Sequence, residues 1–387
     1  MKFSCCREDL ARNLTIAQRA TDAKSNVQVL RNVLFELAED RLNLVGYDHR
    51  IGIRTSMACT IEQGGSVTVP CALLLEVLGV MTDENVYFTL EGTTLTLECG
   101  KSRYSFECIE ADDFPPFPKM AAGKEFSIDA VTFERGIRRT LFATNPDDPR
   151  AFMGGVYFGV ESGGLAMVST DGHRLTWFHV PGQAAPLGDK GVIVPSRTLT
   201  ELLRIIPSPA KPEKSEKTEE GAEEKKPVAA GAKVAITVQE DAIAFSADGI
   251  YMISRLVKAD YPNYDKVIPS EKLGECRVAR GRLANAVRGT AIMARAKENQ
   301  YIIEFNVDDS ILQLSASTQD VGSAREEVDI EQKGSKISVS FNSRYILDFL
   351  NAVPEDEVVF QYSEALKATL FHTDNPDYKY VLMPIKM

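Results

Sequence analysis

Three stretches of this chain open on the same plan, and that repetition limits the possible folds more than any other feature. Each begins with a short strand, continues as an amphipathic helix and then gives a pair of strands. The first runs FSCCREDLARNLTIAQRA (3–20) and VLRNVLFELAEDRLNLVGYDHRIGIRT (29–55), the second FSIDAVTFERGIRRTLFAT (126–144) and MGGVYFGVESGGLAMVSTDGHRLTWFHV (153–180). The third runs ECRVARGRLANAVRGTAIMA (275–294) and YIIEFNVDDSILQLSASTQDVGSAREEV (301–328). A second strand–helix–strand half follows each, starting SVTVPCALLLEVLGVM (66–81), GVIVPSRTLTELLRIIP (191–207) and KISVSFNSRYILDFLNAVP (336–354). Alternation of apolar and polar residues marks the closing strands, as in VYFTLEGTTLTLEC and AITVQEDAIAFSA. Such a fixed plan, copied in tandem, predicts three α+β domains, each of two strand–helix–strand repeats.

Spacing agrees. Pro70 and Pro195 are 125 positions apart, Pro195 and its counterpart Asn342 are 147 apart, and Pro115 and Pro262 are also 147 apart. One insertion within 208–233 accounts for both long intervals. That stretch, SPAKPEKSEKTEEGAEEKKPVAAGAK, has six Lys and six Glu and no apolar periodicity. It is expected to be disordered, because it cannot bury enough apolar surface to offset the entropy of ordering. The expected domains are 1–122, 126–267 and 268–387.

Charge sharpens the picture. The chain carries 44 Lys and Arg against 55 Asp and Glu, a net −11, which argues against nucleic acid as a partner if taken as a uniform surface. It is not uniform. The opening helices bear Arg7, Arg12 and Arg19, then Arg135, Arg138 and Arg139, then Arg280, Arg282, Arg288, Arg295 and Lys297, eleven basic residues against three acidic ones (Glu8, Asp9 and Glu134). Equivalent helices with one shared bias suit contact with phosphates without sequence choice.

Signatures of an enzyme are missing. The seven cysteines form no CxxC pair and the four histidines (His49, His173, His179, His372) no HExxH, while no GxxxxGK[ST] or GxSxG occurs. An odd cysteine count fits reduced, mostly buried thiols. Asp171 and His173 tempt a hydrolase reading, but a turn Asp beside a His is more often structural, and Asp171-Gly172 is first of all a turn signal between strands. No apolar run of about 18 residues predicts a membrane span and MKFSCCREDLARN lacks a signal-peptide core, so the expected compartment is the cytoplasm.

Along nearly its whole length the chain resembles a known family. The MKF start, ADDFPPFP (111–118), STDGHRL (169–175), VIVPSRTLTELL, YPNYDKVIP (261–269), FNSRYILDFLNAV (341–353) and the terminal YVLMPIKM (380–387) together are similar to the beta subunit of bacterial DNA polymerase III, the replicative sliding clamp. The resemblance implies a head-to-tail homodimer whose six domains make a ring, with helices inside and β-sheet outside. It implies no cofactor and no catalysis. The partners would be double-stranded DNA without sequence preference, the replicative polymerase, the clamp loader and other proteins carrying clamp-binding peptides. An open, non-ring nucleic-acid scaffold is the alternative.

Site residues follow by motif. The resemblance places a peptide pocket at Arg150, Met153, Thr170, Gly172, His173, Arg174, Leu175, Pro262, Lys266, Val267, Asn342, Tyr345, Val381, Met383, Pro384, Ile385 and Lys386. DNA would meet Arg7, Arg12, Arg135, Arg138, Arg139, Arg280, Arg282 and Arg288 on the helices, Arg197 after the VIVP strand, and Lys24 on a loop. The NPDDPR loop (145–150) is a weaker candidate, since Asp147 and Asp148 beside Arg150 are poor phosphate ligands.

Overall fold

The computed structural model describes residues 1–387 apart from 121–122, 183–184, 189, 207–230, 295–300, 319–321 and 387. Most of the expected disordered insertion, as well as Arg295 and Lys297, therefore lies outside the described residues. Lys233 does not belong to a disordered segment: it starts a strand.

The repeat unit is visible in the element order. First come β1 (Lys2–Cys6), α1 (Arg7–Gln18), β2 (Asn32–Ala38), β3 (Arg41–Tyr47), β4 (Ile51–Ala58), the short β5 (Thr60–Gln63), β6 (Gly65–Pro70), α2 (Cys71–Val80), β7 (Asn85–Glu91), β8 (Thr94–Cys99) and β9 (Ser102–Glu107). The second series is β10 (Lys124–Asp129), α3 (Ala130–Thr140), β11 (Gly155–Glu161), β12 (Gly164–Thr170), β13 (Arg174–Val180), β14 (Val192–Pro195), α4 (Ser196–Ile205), β15 (Lys233–Val238), β16 (Ala242–Ala247) and β17 (Ile250–Arg255). The third is β18 (Gly274–Ala279), α5 (Arg280–Met293), β19 (Ile302–Asp308), β20 (Ile311–Thr318), β21 (Gly322–Asp329), β22 (Glu331–Gly334), β23 (Ile337–Asn342), α6 (Ser343–Ala352), β24 (Glu357–Tyr362), β25 (Thr369–His372) and β26 (Tyr378–Leu382).

Where a pair of strands was expected after each opening helix there are three. The first of these runs is broken by two turns, with Glu39 and His49 in the left-handed region (φ 55° and 69°). The equivalence of Pro70, Pro195 and Asn342 holds: each stands immediately before a ten-residue helix. Pro70 supplies a fixed φ of −65° there, whereas Asn342 accepts a hydrogen bond from the Arg344 N–H at 2.9 Å.

Hydrogen bonds repeat as well. The backbone N–H opening each first helix donates to a carbonyl just ahead of the second set of strands: Arg7 to Glu84, Ala130 to Ala232 and Arg280 to Asp356 (2.8, 2.9 and 2.8 Å). Two of these residues also bind through their side chains. Arg7 reaches the carbonyls of Leu78 and Asp83, and Arg280 those of Leu350 and Glu355. A guanidinium at the C-terminal end of a neighbouring helix satisfies orphan carbonyls and opposes the helix dipole.

The chain forms two compact units, Met1–Val131 with Arg197–Leu256 and Thr132–Ser196 with Val257–Met387. The first holds a five-stranded sheet, β5-β1-β7-β8-β9, and an eight-stranded one, β10-β15-β16-β17-β4-β3-β2-β6. Its core packs Leu10, Leu14 and Ala17 of α1 and Leu74 and Leu78 of α2 against both sheets, with Phe3 stacked on Phe88 at 4.7 Å. The second unit holds a nine-stranded sheet, β14-β11-β12-β13-β26-β25-β24-β18-β22, and a four-stranded one, β21-β20-β19-β23. The units cut across the sequence repeats because β17 pairs with β4 and β13 with β26, so half of one repeat shares a sheet with half of another.

Five of the seven cysteines are buried, and all are free thiols. Burial pushes the thiols of Cys5 and Cys276 up to about 12.

Arg139 corrects the sequence reading. It is 1% exposed, its Nη2 donates to both carboxylate oxygens of Glu355 at 2.8 and 3.1 Å, and its guanidinium lies 4.9 Å from the Tyr378 ring centroid. A side chain so placed is part of the core and has no phosphate within reach. Arg139→Met should cost about 3 kcal/mol of stability, the scale for breaking a buried ion pair. The urea midpoint would fall with m unchanged, and the salt dependence of DNA binding would not move.

Candidate peptide pocket and nucleic-acid interface

The second unit contains an apolar cavity of about 210 Å³. Three segments make it. The first is the turn between β12 and β13 with the strand ends beside it, giving Thr170, Gly172, His173, Arg174 and Leu175. The second is the linker after β17, giving Tyr261, Pro262, Asn263, Tyr264 and Val267, and the third is the end of β26, giving Val381 and Met383.

The turn is built by Asp171. Its Oδ1 accepts the N–H groups of His173 and Arg174 at 2.9 and 3.0 Å, and its Oδ2 accepts Arg174 Nε at 2.9 Å. Gly172 between them has φ 87°, a conformation costly for other residues. Asp171 is thus fully engaged, and the His173 ring instead faces Tyr345, their centroids 6.3 Å apart. The two residues do not form a catalytic pair.

Arg174 fixes the back wall. Only 8% exposed, it donates Nη1 to Asp348 and Nη2 to the Phe142 carbonyl, both at 2.6 Å, and lies between the rings of Phe142 and Tyr345 at 5.2 and 4.3 Å. This anchors the turn to α6. The linker wall is held by Glu161, whose Oε2 accepts both Trp177 Nε1–H at 2.8 Å and the Tyr264 hydroxyl at 3.0 Å. Burial, followed by that bond to Glu161, raises the Tyr264 phenol well above its ordinary range, so it stays a donor. Tyr261 stacks on Tyr157 at 4.7 Å.

Nine residues expected from sequence thus converge on the cavity. Others stand beside it: an added Cβ on Gly172 would come 3.2 Å from Arg150 Nη2 and 3.3 Å from Met153 Cε. Arg150 is itself paired with Asp148 (2.9 and 3.0 Å), whose carboxyl that contact holds down at about 2. Asn342 spends its side chain on the α6 cap, and Ile385 N–H is bonded to the Ser340 carbonyl. Lys386 lies elsewhere, lining a separate cavity with Glu304 and Arg325. Lys266 and Pro384 do not line the apolar cavity. Tyr261, Asn263 and Tyr264 were missed, although the repeated aromatic in YPNY was the available signal.

The candidate DNA contacts also divide. Arg7 and Arg280 have their guanidinium N–H groups on backbone carbonyls, so they act as clips between helices rather than as free phosphate donors. Arg12, Arg135, Arg138, Arg282 and Arg288 are exposed, as are Arg197 and Lys24. Counted from each helix start, the helical five occupy the third, sixth and ninth positions, one face of a helix. Arg135 and Arg282 have no ion pair among the described residues, while Arg12, Arg138 and Arg197 are paired with Asp9, Glu134 and Asp48. Only the Arg12–Asp9 pair is exposed on both sides and so weak enough to exchange readily for phosphate; Glu134 and the Asp48 carboxylate are buried and hold their arginines more firmly.

Repeated domains, arginines on equivalent helix faces and a cavity sized for a few side chains define a non-catalytic protein of the DNA-clamp type. Comparison with known proteins agrees. Models of the DNA polymerase III beta subunit match its N-terminal domain at residues 1–118, its central domain at 127–214 and its C-terminal domain at 265–386. The beta sliding clamp of Synechococcus elongatus is 30% identical and that of Escherichia coli 25%, each over 100% of both chains. A crystal structure of the Pseudomonas aeruginosa sliding clamp bound to griselimycin superposes with a TM-score of 0.89 at 27% identity, covering 100% of both chains. The chain belongs to the DNA polymerase III beta subunit family, the bacterial beta sliding clamps.

Met383→Ala should weaken binding of a clamp-binding peptide about tenfold, the loss expected when part of an apolar anchor site is removed. Fluorescence anisotropy of a labelled polymerase peptide would measure it, and His173→Ala should leave no enzymatic turnover to lose.

Proposed function

We propose that the cavity of the second unit is where this clamp takes the peptides of its partners, and that the exposed helix arginines are its track on DNA. As a family member the chain is a processivity factor: a ring-shaped cytoplasmic homodimer that encircles duplex DNA and tethers the replicative polymerase. It is not an enzyme. One observation supports the site assignment above the rest: the turn at 170–175, the linker at 261–267 and the strand end at 381–383 meet at one apolar cavity. We also assign the three domains to 1–122, 126–267 and 268–387, following the tandem repeat.

Weak phosphate contacts and a closed ring divide the work. Contacts on exposed arginines carry no base information and break easily, which permits sliding, while topology prevents escape. Loaded on nicked circular DNA, the clamp should stay bound and then run off once the circle is cut. Equal retention on circular and linear DNA would exclude the ring. Arg282→Ala or Arg135→Ala should each lower the slope of log affinity against log salt by about 0.9, whereas an unchanged slope removes that residue from the track.

A further inference from the structure

The peptide cavity has an internal twin. In the first unit the turn between β3 and β4, the linker residues 118–120 and the end of β17, with the turn between β15 and β16 beside them, enclose a cavity of about 240 Å³. The correspondence runs bond by bond. Asp48 Oδ1 accepts the N–H groups of Arg50 and Ile51 at 2.9 and 2.7 Å, as Asp171 does for His173 and Arg174. Ile51 pairs with Ser254 as Arg174 pairs with Leu382. The Arg255 N–H donates to the Arg50 carbonyl at 3.0 Å, as that of Met383 does to His173 at 2.9 Å. By this register Arg50 stands where the peptide cavity has His173, Arg255 where it has Met383, and the linker places Lys119 and Met120 where the other has Lys266 and Val267.

The chemistry of the two differs. Leu175 is replaced by Gly52, and the vacated space holds the protein's own Phe117: a Cβ on Gly52 would meet its ring at 2.7 Å. Arg54 lies over that ring, its guanidinium 4.8 Å from the centroid. The apolar anchor position is thus filled from within. Around it stand Arg50, Lys119 and Arg255, all exposed and none in an ion pair among the described residues, with Asp241 the one acid in the lining.

We propose that this cleft is a second partner-docking site, one that takes an acidic, extended segment of a partner protein through its carboxylates rather than through an apolar anchor. Three cations without an ion pair among the described residues, converging from a turn, a linker and a strand end in a protein of net −11, suit an anionic occupant. A peptide fits better than a DNA backbone. The cleft is concave and has the same backbone frame as a cavity shaped for a short segment.

The test uses the full-length protein and a fluorescein-labelled hexaglutamate peptide, followed by anisotropy at low and at physiological salt. Wild-type protein should bind it in a salt-sensitive way, Arg50→Glu with Arg255→Glu should weaken it at least tenfold, and Met383→Ala should leave it unchanged. Binding of a polymerase peptide to the double variant controls for folding. If that control falls, the milder Arg50→Gln with Arg255→Gln is measured, with at least a threefold loss expected. No binding to the wild type, or equal binding to wild type and variant, overturns the proposal. So does a variant that loses affinity for a short duplex but keeps it for the peptide, since that assigns the cations to DNA.

Discussion

Antiparallel pairing between strands of different repeats is the constraint on which this molecule rests. A strand edge left open is a row of unpaired backbone groups and a template for aggregation. Here β4 and β13, each the third strand after an opening helix, find their partners in β17 and β26, the last strands of the following repeats. The sheets become continuous across repeat boundaries. Each seam also brings together a turn, a linker and a strand end, which is how a cavity arises at both places without a dedicated element to build it.

Within that frame the arginines have taken three distinct roles. Arg7 and Arg280 close helix ends, Arg139 and Arg174 are inside and hold aromatic rings and carboxylates in place, and Arg135 and Arg282 face solvent. Of these three groups, the solvent-facing one is the one that suits the proposed phosphate contacts. A solvent-facing guanidinium keeps its hydration and mobility, so its contacts are brief, and brief contacts are what a sliding protein needs.

Much of this was legible in the sequence. The tandem plan, the equivalence of Pro70, Pro195 and Asn342 and the turn at Asp171-Gly172 are local properties that residue order records directly. Nine of the residues carried over by motif line the cavity of the second unit. What escaped was non-local: nothing in the run RGIRRT separates exposed Arg138 from buried Arg139, because the difference is made by Glu355 and Tyr378, more than two hundred positions away. Lys386 shares a motif with Met383 yet lines another cavity, since Ile385 between them bonds to the Ser340 carbonyl. Tyr264 needed the knowledge that Glu161 lies against it, and Tyr261 that Tyr157 does.

The buried cysteines bear on the protein's chemical durability. The thiolate is the form that alkylates, oxidises and exchanges, and burial, which pushes both thiols up to about 12, keeps them protonated at neutral pH. Cys5 and Cys276 are therefore all but inert, each tucked into a strand beside an opening helix. The same inertness leaves the surface open to site-specific labels on introduced cysteines, with Cys6 and Cys59 as the two native thiols to replace first.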